Sequence, residues 1–370
     1  MEFFDLNAQH QILKHKIDAG ISRVLKHKKF ILGPEIEELE TKLKTYLGVD
    51  SCISVANGTD AIQVALMAIG VKPGDEVITP CFSYISAAEV IALLGAKPVF
   101  VDISDMGFNI DDKKIEEKIT SRTKCIIPVN LFGQCANFNE INRIAAKYNI
   151  PVIEDAAQSF GAIYQGRKSG TLGTVGCTSF FPTKPLGCYG DGGAVFTNDK
   201  NLGEIIRQIA RHGQKKKYLH ARQGVNSRLD SIQGAVLLEK LKIFEDEIKK
   251  RNEVADRYSR LLKKYGFKGI PEILPDRRNV WAQYSVCASN RDELKTKLSQ
   301  VGIPTAIHYP LPLNKQPALQ GAELEFDVAD KVAKEVISLP MSPYLGINDQ
   351  DFIVENFLKF AVFEQSHSKS

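Results

Sequence analysis

An alternation of short β-branched runs with helical segments through the N-terminal half constrains this chain more than any other feature. The runs 52–56, 76–79, 98–102, 125–129, 151–154 and 193–197 read as strands, and 61–69, 86–94 and 139–148 carry helical patterns between them. Strands separated by helices are joined by crossovers, and crossovers build a mostly parallel sheet with helices on both faces. The expected fold class is therefore α/β, with ligands gathering at the carboxyl ends of the strands.

A chain of 370 residues that is 44% apolar exceeds what one core usually serves, so a second, smaller domain is expected. Helical pattern covers 11–47, broken at Leu32-Gly33-Pro34 before the acidic first turn Glu35-Ile36-Glu37-Glu38. A long charged helical stretch, 230–264, reads as the connector into the smaller domain. That domain holds a strand at 282–288, a helix at 291–301 and the turn-rich 303–317. The boundary falls near 245, giving a large domain 1–245 and a small α/β domain 246–370. The polar tail 364–370 is expected to fray.

With 48 basic against 44 acidic residues, the net charge of +4 is too small and dispersed for a nucleic-acid partner. The dense run Lys215-Lys216-Lys217 reads either as a solvated loop or as a surface meeting an anionic substrate. Seven cysteines form no CxxC pair, and several sit in apolar stretches, as reduced core residues do. No charged leader precedes an apolar core, and no stretch approaches the ~20 apolar residues of a membrane span. The chain is expected to be cytoplasmic, with no membrane partner. Its histidines show no HExxH-like ligand spacing, so no metal is expected.

Three segments carry chemistry. Val55-Ala56-Asn57-Gly58-Thr59-Asp60-Ala61 is a strand ending in a glycine turn that opens a helix. Its first N–H groups and the Thr59 hydroxyl suit a phosphate dianion, although an ordinary helix cap reads the same way. Pro151-Val152-Ile153-Glu154-Asp155-Ala156-Ala157-Gln158 delivers an acid into small residues. Asp155 is a helix cap or a carboxylate that holds a proton on a pyridine nitrogen. In Thr178-Ser179-Phe180-Phe181-Pro182-Thr183-Lys184 an apolar strand leads to a lysine, and Gly190-Asp191-Gly192-Gly193 follows. An ammonium is costly there, so Lys184 should titrate low and act as an amine nucleophile toward an aldehyde.

Two other glycine-rich segments fail as nucleotide motifs. In Gly161-Ala162-Ile163-Tyr164-Gln165-Gly166-Arg167-Lys168-Ser169 the lysine comes one residue late for a P-loop, and Gly170-Thr171-Leu172-Gly173 is a poor helix start. The segment 187–193 lacks GxGxxG and precedes a strand, which a dinucleotide site does not.

Together, Asn57-Gly58-Thr59-Asp60-Ala61, Glu154-Asp155-Ala156-Ala157-Gln158, Ser179-Phe180-Phe181-Pro182-Thr183-Lys184 and Gly190-Asp191-Gly192-Gly193 resemble the DegT/StrS type of sugar aminotransferases that depend on pyridoxal 5′-phosphate (PLP). The resemblance runs from Phe4 to about Tyr344. It implies the PLP-dependent transferase fold type I, like aspartate aminotransferase, and homodimers with active sites at the subunit interface. It implies that Lys184 tethers the cofactor and acts as acid and base, and that Asp155 faces the pyridine nitrogen. Gly58, Thr59 and Ser179 then hold the phosphate, and Gln158 touches the ring oxygen. Phe82 resembles the aromatic residue stacked on the ring, with a plain core phenylalanine as the other reading.

Gly224-Val225-Asn226-Ser227-Arg228-Leu229-Asp230 resembles the loop whose asparagine, here Asn226, reaches the phosphate of the neighbouring subunit's cofactor. Arg211-His212-Gly213-Gln214 and Ile307-His308-Tyr309-Pro310-Leu311-Pro312 are similar to a subgroup that aminates C3 of a UDP-linked 2-acetamido-3-oxo-glucuronic acid. Its products enter the diacetamido-uronic acids of bacterial surface polysaccharide (O-antigen, lipopolysaccharide). Glutamate is the implied donor and 2-oxoglutarate its product. Arg228, His308 and Tyr309 resemble sugar-nucleotide contacts, though Arg228 equally suits the donor carboxylate and His308 a core position. A dehydratase of the same family would carry His where Lys184 stands. A non-catalytic PLP-binding regulator would not require Lys184, Asp155 and Gln158 intact.

Overall fold

A computed structural model describes residues 1–105, 107–319 and 324–363; the tail 364–370 lies outside them. The chain opens with α1 (Leu6–His27) and α2 (Pro34–Leu47). The Asp5 side chain caps α1 by accepting the Ala8 N–H at 2.9 Å, and Leu13, Ile17, Gly20 and Val24 form its buried stripe. Pro34 starts α2, where its missing N–H costs nothing, and Gly48 in the left-handed region ends it.

The central elements are β1 (Ser51–Val55), α3 (Gly58–Ala68), β2 (Glu76–Pro80), α4 (Ser86–Leu93), β3 (Lys97–Val101), β4 (Thr123–Ile126), α5 (Phe138–Lys147) and β5 (Ile153–Asp155). A small hairpin, β6 (Ile163–Tyr164) and β7 (Arg167–Lys168), precedes β8 (Val175–Ser179), β9 (Gly193–Thr197) and α6 (Lys200–Ile209). Strands β3, β2 and β4 pair in parallel, and parallel bridges Ile126↔Val152 and Val129↔Asp155 set β4 beside β5. From β5 the order continues through β8 and β9 to β1, with β9 alone antiparallel to its neighbours.

Successive residues of these strands enter different cores. Cys52, Ile78, Ile126, Val152 and Phe196 pack with α2 and α5, whereas Ile53, Val77, Cys125, Ile153 and Val195 pack with α3, α4 and α6. This is the period of two with both faces apolar that a parallel sheet between helical layers requires. All carboxyl ends except that of β9 therefore emerge on one edge.

Beyond the sheet come the hairpin β10 (Gln214–Lys216) and β11 (Leu219–His220), then α7 (Ser231–Leu241) and α8 (Phe244–Lys264). Two details differ from the sequence expectation. Lys215 and Lys216 lie in a hairpin strand, not in a loop. The stretch 230–264 is two helices, because Ile243 leaves helical geometry (φ −110°, ψ 2°) and Phe244 turns inward onto Phe160, with ring centroids 5.8 Å apart.

The last elements are β12 (Arg277–Arg278), β13 (Tyr284–Cys287), α9 (Arg291–Gln300), α10 (Asp327–Glu335), β14 (Val336–Leu339) and α11 (Ile347–Phe360). Strands β13 and β14 pair antiparallel and share a separate core with α8, α9 and α11. The Asp102 carboxylate, at the end of β3, accepts the Val328 and Ala329 N–H groups at the start of α10. That contact fastens the C-terminal part to the sheet edge where the site forms.

Candidate active site

Most of the residues named above, though not Asn226 or Arg228, gather around the carboxyl ends of β5 and β8. Asp155 is the last residue of β5; its Oδ1 accepts the Ala157 N–H at 3.0 Å, and Oδ2 has no protein partner among the described residues. Burial pushes its carboxyl up, partly offset by the Ala157 amide and the Lys184 ammonium. Its neighbour Glu154 points the other way, into a buried net of Asn130, Ser169 and the Gly170 and Leu172 amides, which fixes the strand end. The same net holds 169–172 as turns, so the segment that resembles a P-loop starts no helix.

Lys184 sits in the turn after β8, held by its own N–H on the Phe181 carbonyl at 2.8 Å. Burial lowers its ammonium and Asp155 alone opposes that. The pair is a buried amine whose ammonium is disfavoured and a buried acid that acts on it.

Gly58 begins α3. A Cβ on it would stand 2.7 Å from the Ser179 Cβ, so only glycine lets the helix start approach the end of β8 this closely. Asn57 caps the helix through the Asp60 N–H at 2.8 Å. The Gly58 and Thr59 N–H groups have no protein acceptor among the described residues, which leaves an anion-binding helix start. The Thr59 hydroxyl meets Ser86 Oγ at 2.9 Å, and Ser179 Oγ accepts the Phe181 N–H at 3.2 Å.

Phe82 is buried in the core shared by the sheet edge and the C-terminal part, edge-on to Tyr309 with centroids 6.1 Å apart. Gln158 Oε1 accepts the Phe132 N–H at 2.8 Å, and its Nε2 meets the Tyr309 hydroxyl at 3.1 Å. His308 lies close enough to Lys184 for its charge to be felt. Burial, then Lys184, lowers the imidazole to about 4, so it is neutral at physiological pH.

Asn226 and Arg228 do not join this group within one protomer. Asn226 is exposed, bridged through its backbone to Arg211, and the intervening Ser227 accepts the Ala56 N–H at 3.1 Å. Arg228 has a buried Nε with no partner. Burial, with Arg207 and Arg228 nearby, destabilises the Arg211 cation, and Glu40 and Glu204 partly offset this.

Sequence reading missed Tyr84, which faces Tyr309 with centroids 6.1 Å apart, and Ser338, whose Oγ meets His308 Nδ1 at 2.9 Å. The polar positions Gln283 and Ser285 inside an otherwise apolar strand were the available signal for that buried polar layer. A groove lined by Asp256, Ser259, Lys263, Phe267 and Trp281 lies elsewhere and gathers none of the motif residues.

The model of the DegT/DnrJ/EryC1/StrS aminotransferase family matches residues 11–358. The chain belongs to this family. The UDP-2-acetamido-2-deoxy-3-oxo-D-glucuronate aminotransferase of Pseudomonas aeruginosa is 59% identical over 93% of this chain and 96% of its own. The crystal structure of a DegT DnrJ EryC1 StrS aminotransferase from Brucella abortus is 44% identical, with a TM-score of 0.92 over 97% of this chain and 99% of that one. NtdA of Bacillus subtilis, solved with bound cofactor PMP, is 33% identical, with a TM-score of 0.87 over 94% of this chain and 81% of that one. The fold is thus the PLP-dependent transferase fold type I, and the protein is a PLP-dependent aminotransferase.

The donor set fits that cofactor. A phosphate suits the open N–H groups at Gly58 and Thr59, a pyridine nitrogen suits the free Asp155 oxygen, and an aldehyde suits the Lys184 amine. Among the described residues no helix is long and apolar enough to cross a membrane.

Proposed function

We propose that this aminotransferase moves an amino group from L-glutamate to the C3 ketone of a UDP-linked 2-acetamido-3-oxo-glucuronic acid, serving bacterial surface-polysaccharide synthesis. The strongest support is the extent of likeness to the Pseudomonas aeruginosa relative whose name gives the amination of a UDP-linked 2-acetamido-3-oxo-glucuronate. Arg228 adds a physical reason: a buried guanidinium nitrogen without a protein partner suits a planar carboxylate.

PLP, when bound, supplies an electron sink for a carbanion at the carbon bearing the nitrogen. Lys184 serves as tether and, once displaced, as the base and acid that moves the proton at that carbon. Burial favours the uncharged form of its amine, the form that can accept that proton. Asp155 keeps a proton on the ring nitrogen, and the α3 start with Ser179 anchors the phosphate. Phe82, fully buried in the core, takes the core reading and backs Tyr309 edge-on, and Gln158 would contact the ring oxygen. His308 and Tyr309 receive the sugar nucleotide, and Arg228 its carboxylate.

The enzyme works as a cytoplasmic homodimer of two-domain subunits, 1–245 and 246–370, and Asn226 completes the phosphate site of the neighbouring subunit. Exposed Phe30, Ile31 and Leu32 support this. They continue, through the Ile31↔Asp230 bridge, into the loop that carries Asn226 and Arg228. An apolar strip of that kind beside an open site calls for a covering surface.

The test is a panel of UDP- and dTDP-linked 3- and 4-keto sugars, with and without a C6 carboxylate, offered with glutamate. The highest kcat/KM should fall on the UDP-linked 3-oxo-uronate. A neutral or dTDP-linked keto sugar turned over equally well would replace this substrate.

A further inference from the structure

His308 is tied to a pair of serines that nothing in the mechanism above requires. Its Nδ1 lies 2.9 Å from Ser338 Oγ, and Ser338 Oγ lies 2.8 Å from Ser285 Oγ. Both serines are buried, at 0% and 1% exposure. They face each other because β13 and β14 pair Ser285 with Ser338. His308 Nε2 has no hydrogen-bond partner among the described residues, and the ring lies near enough to Lys184 for that charge to act on it.

The direction of the chain follows from counting hydrogens. Each serine hydroxyl has one hydrogen to place and can accept others. Ser285 Oγ has no partner besides Ser338 among the described residues. Were Ser338 to donate to Ser285, the Ser285 hydrogen would be buried without an acceptor, which native interiors avoid. With Ser285 donating to Ser338 and Ser338 donating to His308 Nδ1, both hydroxyl hydrogens are used. Nδ1 is then the acceptor, and the imidazole proton resides on Nε2.

We infer that Ser338 and Ser285 are positioning residues that hold His308 as the Nε2–H tautomer, so that it offers the keto-sugar a neutral donor for an acceptor oxygen. The inference rests on the reading of His308 as a sugar contact. A ring held this way cannot serve as a base through Nε2, which leaves proton transfer to Lys184. It also discriminates: an oxygen acceptor is bound, and a ligand presenting an N–H at the same place is refused.

Selective nitrogen-15 labelling of histidine in the holoenzyme, with His308→Gln to assign the signal, reads the tautomer directly and needs no substrate. The expected spectrum shows Nδ1 as the unprotonated, hydrogen-bonded nitrogen and Nε2 as the protonated one. A protonated Nδ1 overturns the inference whichever sugar is used. Kinetics form the second arm, run with the best substrate of the panel. Ser338→Ala should raise the sugar KM by about three- to tenfold, the range for one neutral hydrogen bond, and shift the Nδ1 resonance. Ser285→Ala, the milder change, should move both in the same direction and less, and Ser338→Thr should restore part of the loss. An unchanged sugar KM in Ser338→Ala overturns the inference. If the panel instead selects a different sugar and the tautomer and KM effects persist, the substrate proposal falls while the serine device stands.

Discussion

Gln158 accepts the Phe132 N–H on Oε1 at 2.8 Å and so turns its Nε2 toward the Tyr309 hydroxyl, 3.1 Å away. A backbone N–H can only donate, so this contact fixes the amide orientation and makes Tyr309 an acceptor from Gln158. Tyr309 therefore keeps its own hydroxyl hydrogen for a ligand, and burial holds it as the neutral phenol. Gln158→Glu would reverse the sense, since a carboxylate needs the tyrosine hydrogen for itself. The sugar KM should rise about fivefold, near 1 kcal/mol. An unchanged KM would remove Tyr309 as a donor to substrate.

His308 predicts a pH dependence of stability. Its folded value is about 4 against an ordinary 6.5, so the unfolded chain binds the proton more readily. Stability is then level above pH 6.5 and falls as pH drops toward 4. The gap corresponds to roughly 3 kcal/mol below both values. Urea midpoints of the apoenzyme at neutral and mildly acidic pH should separate less in His308→Gln. Equal separation in wild type and variant would show that another group governs the loss.

A site shared between subunits predicts complementation. Lys184→Ala lacks the tether, and Asn226→Asp sets a carboxylate against the phosphate. Each homodimer should be weak. Co-refolded heterodimers place both defects in one site and neither in the other, so activity should partly return. Mixtures no more active than their parents would confine Asn226 to its own subunit.

Arg228→Lys separates the two carboxylates of the reaction. A point-charge ammonium cannot reproduce two parallel guanidinium bonds, and the loss should be roughly 1.5–3 kcal/mol, about tenfold to a hundredfold in sugar KM. The glutamate half-reaction, followed without sugar by the cofactor's absorbance, should change little. Slowing confined to that half-reaction would assign Arg228 to the donor.

Legibility tracked distance along the chain. The alternation of strands and helices, the Asn57-Gly58-Thr59 helix start, Asp155 at a strand end and Lys184 after an apolar strand are local signals, and each stands where its pattern placed it. The break at Ile243 was invisible because no proline or glycine marks it; the aromatic burial of Phe244 decides it. Ser338 and Ser285 are 53 residues apart and acquire meaning only when β13 and β14 align. Asn226 and Arg228 gain their proposed roles from the family resemblance and from a second subunit, neither of which local pattern reveals.

The central claim is tested most directly by following the nitrogen. Holoenzyme incubated with nitrogen-15-labelled glutamate and the UDP-linked 2-acetamido-3-oxo-glucuronate should yield a 3-amino sugar nucleotide carrying the label, identified by mass, together with one 2-oxoglutarate per amine. Lys184→Ala should yield none. Failure of the wild-type enzyme to place the label on that sugar, or undiminished labelling by Lys184→Ala, would contradict the account.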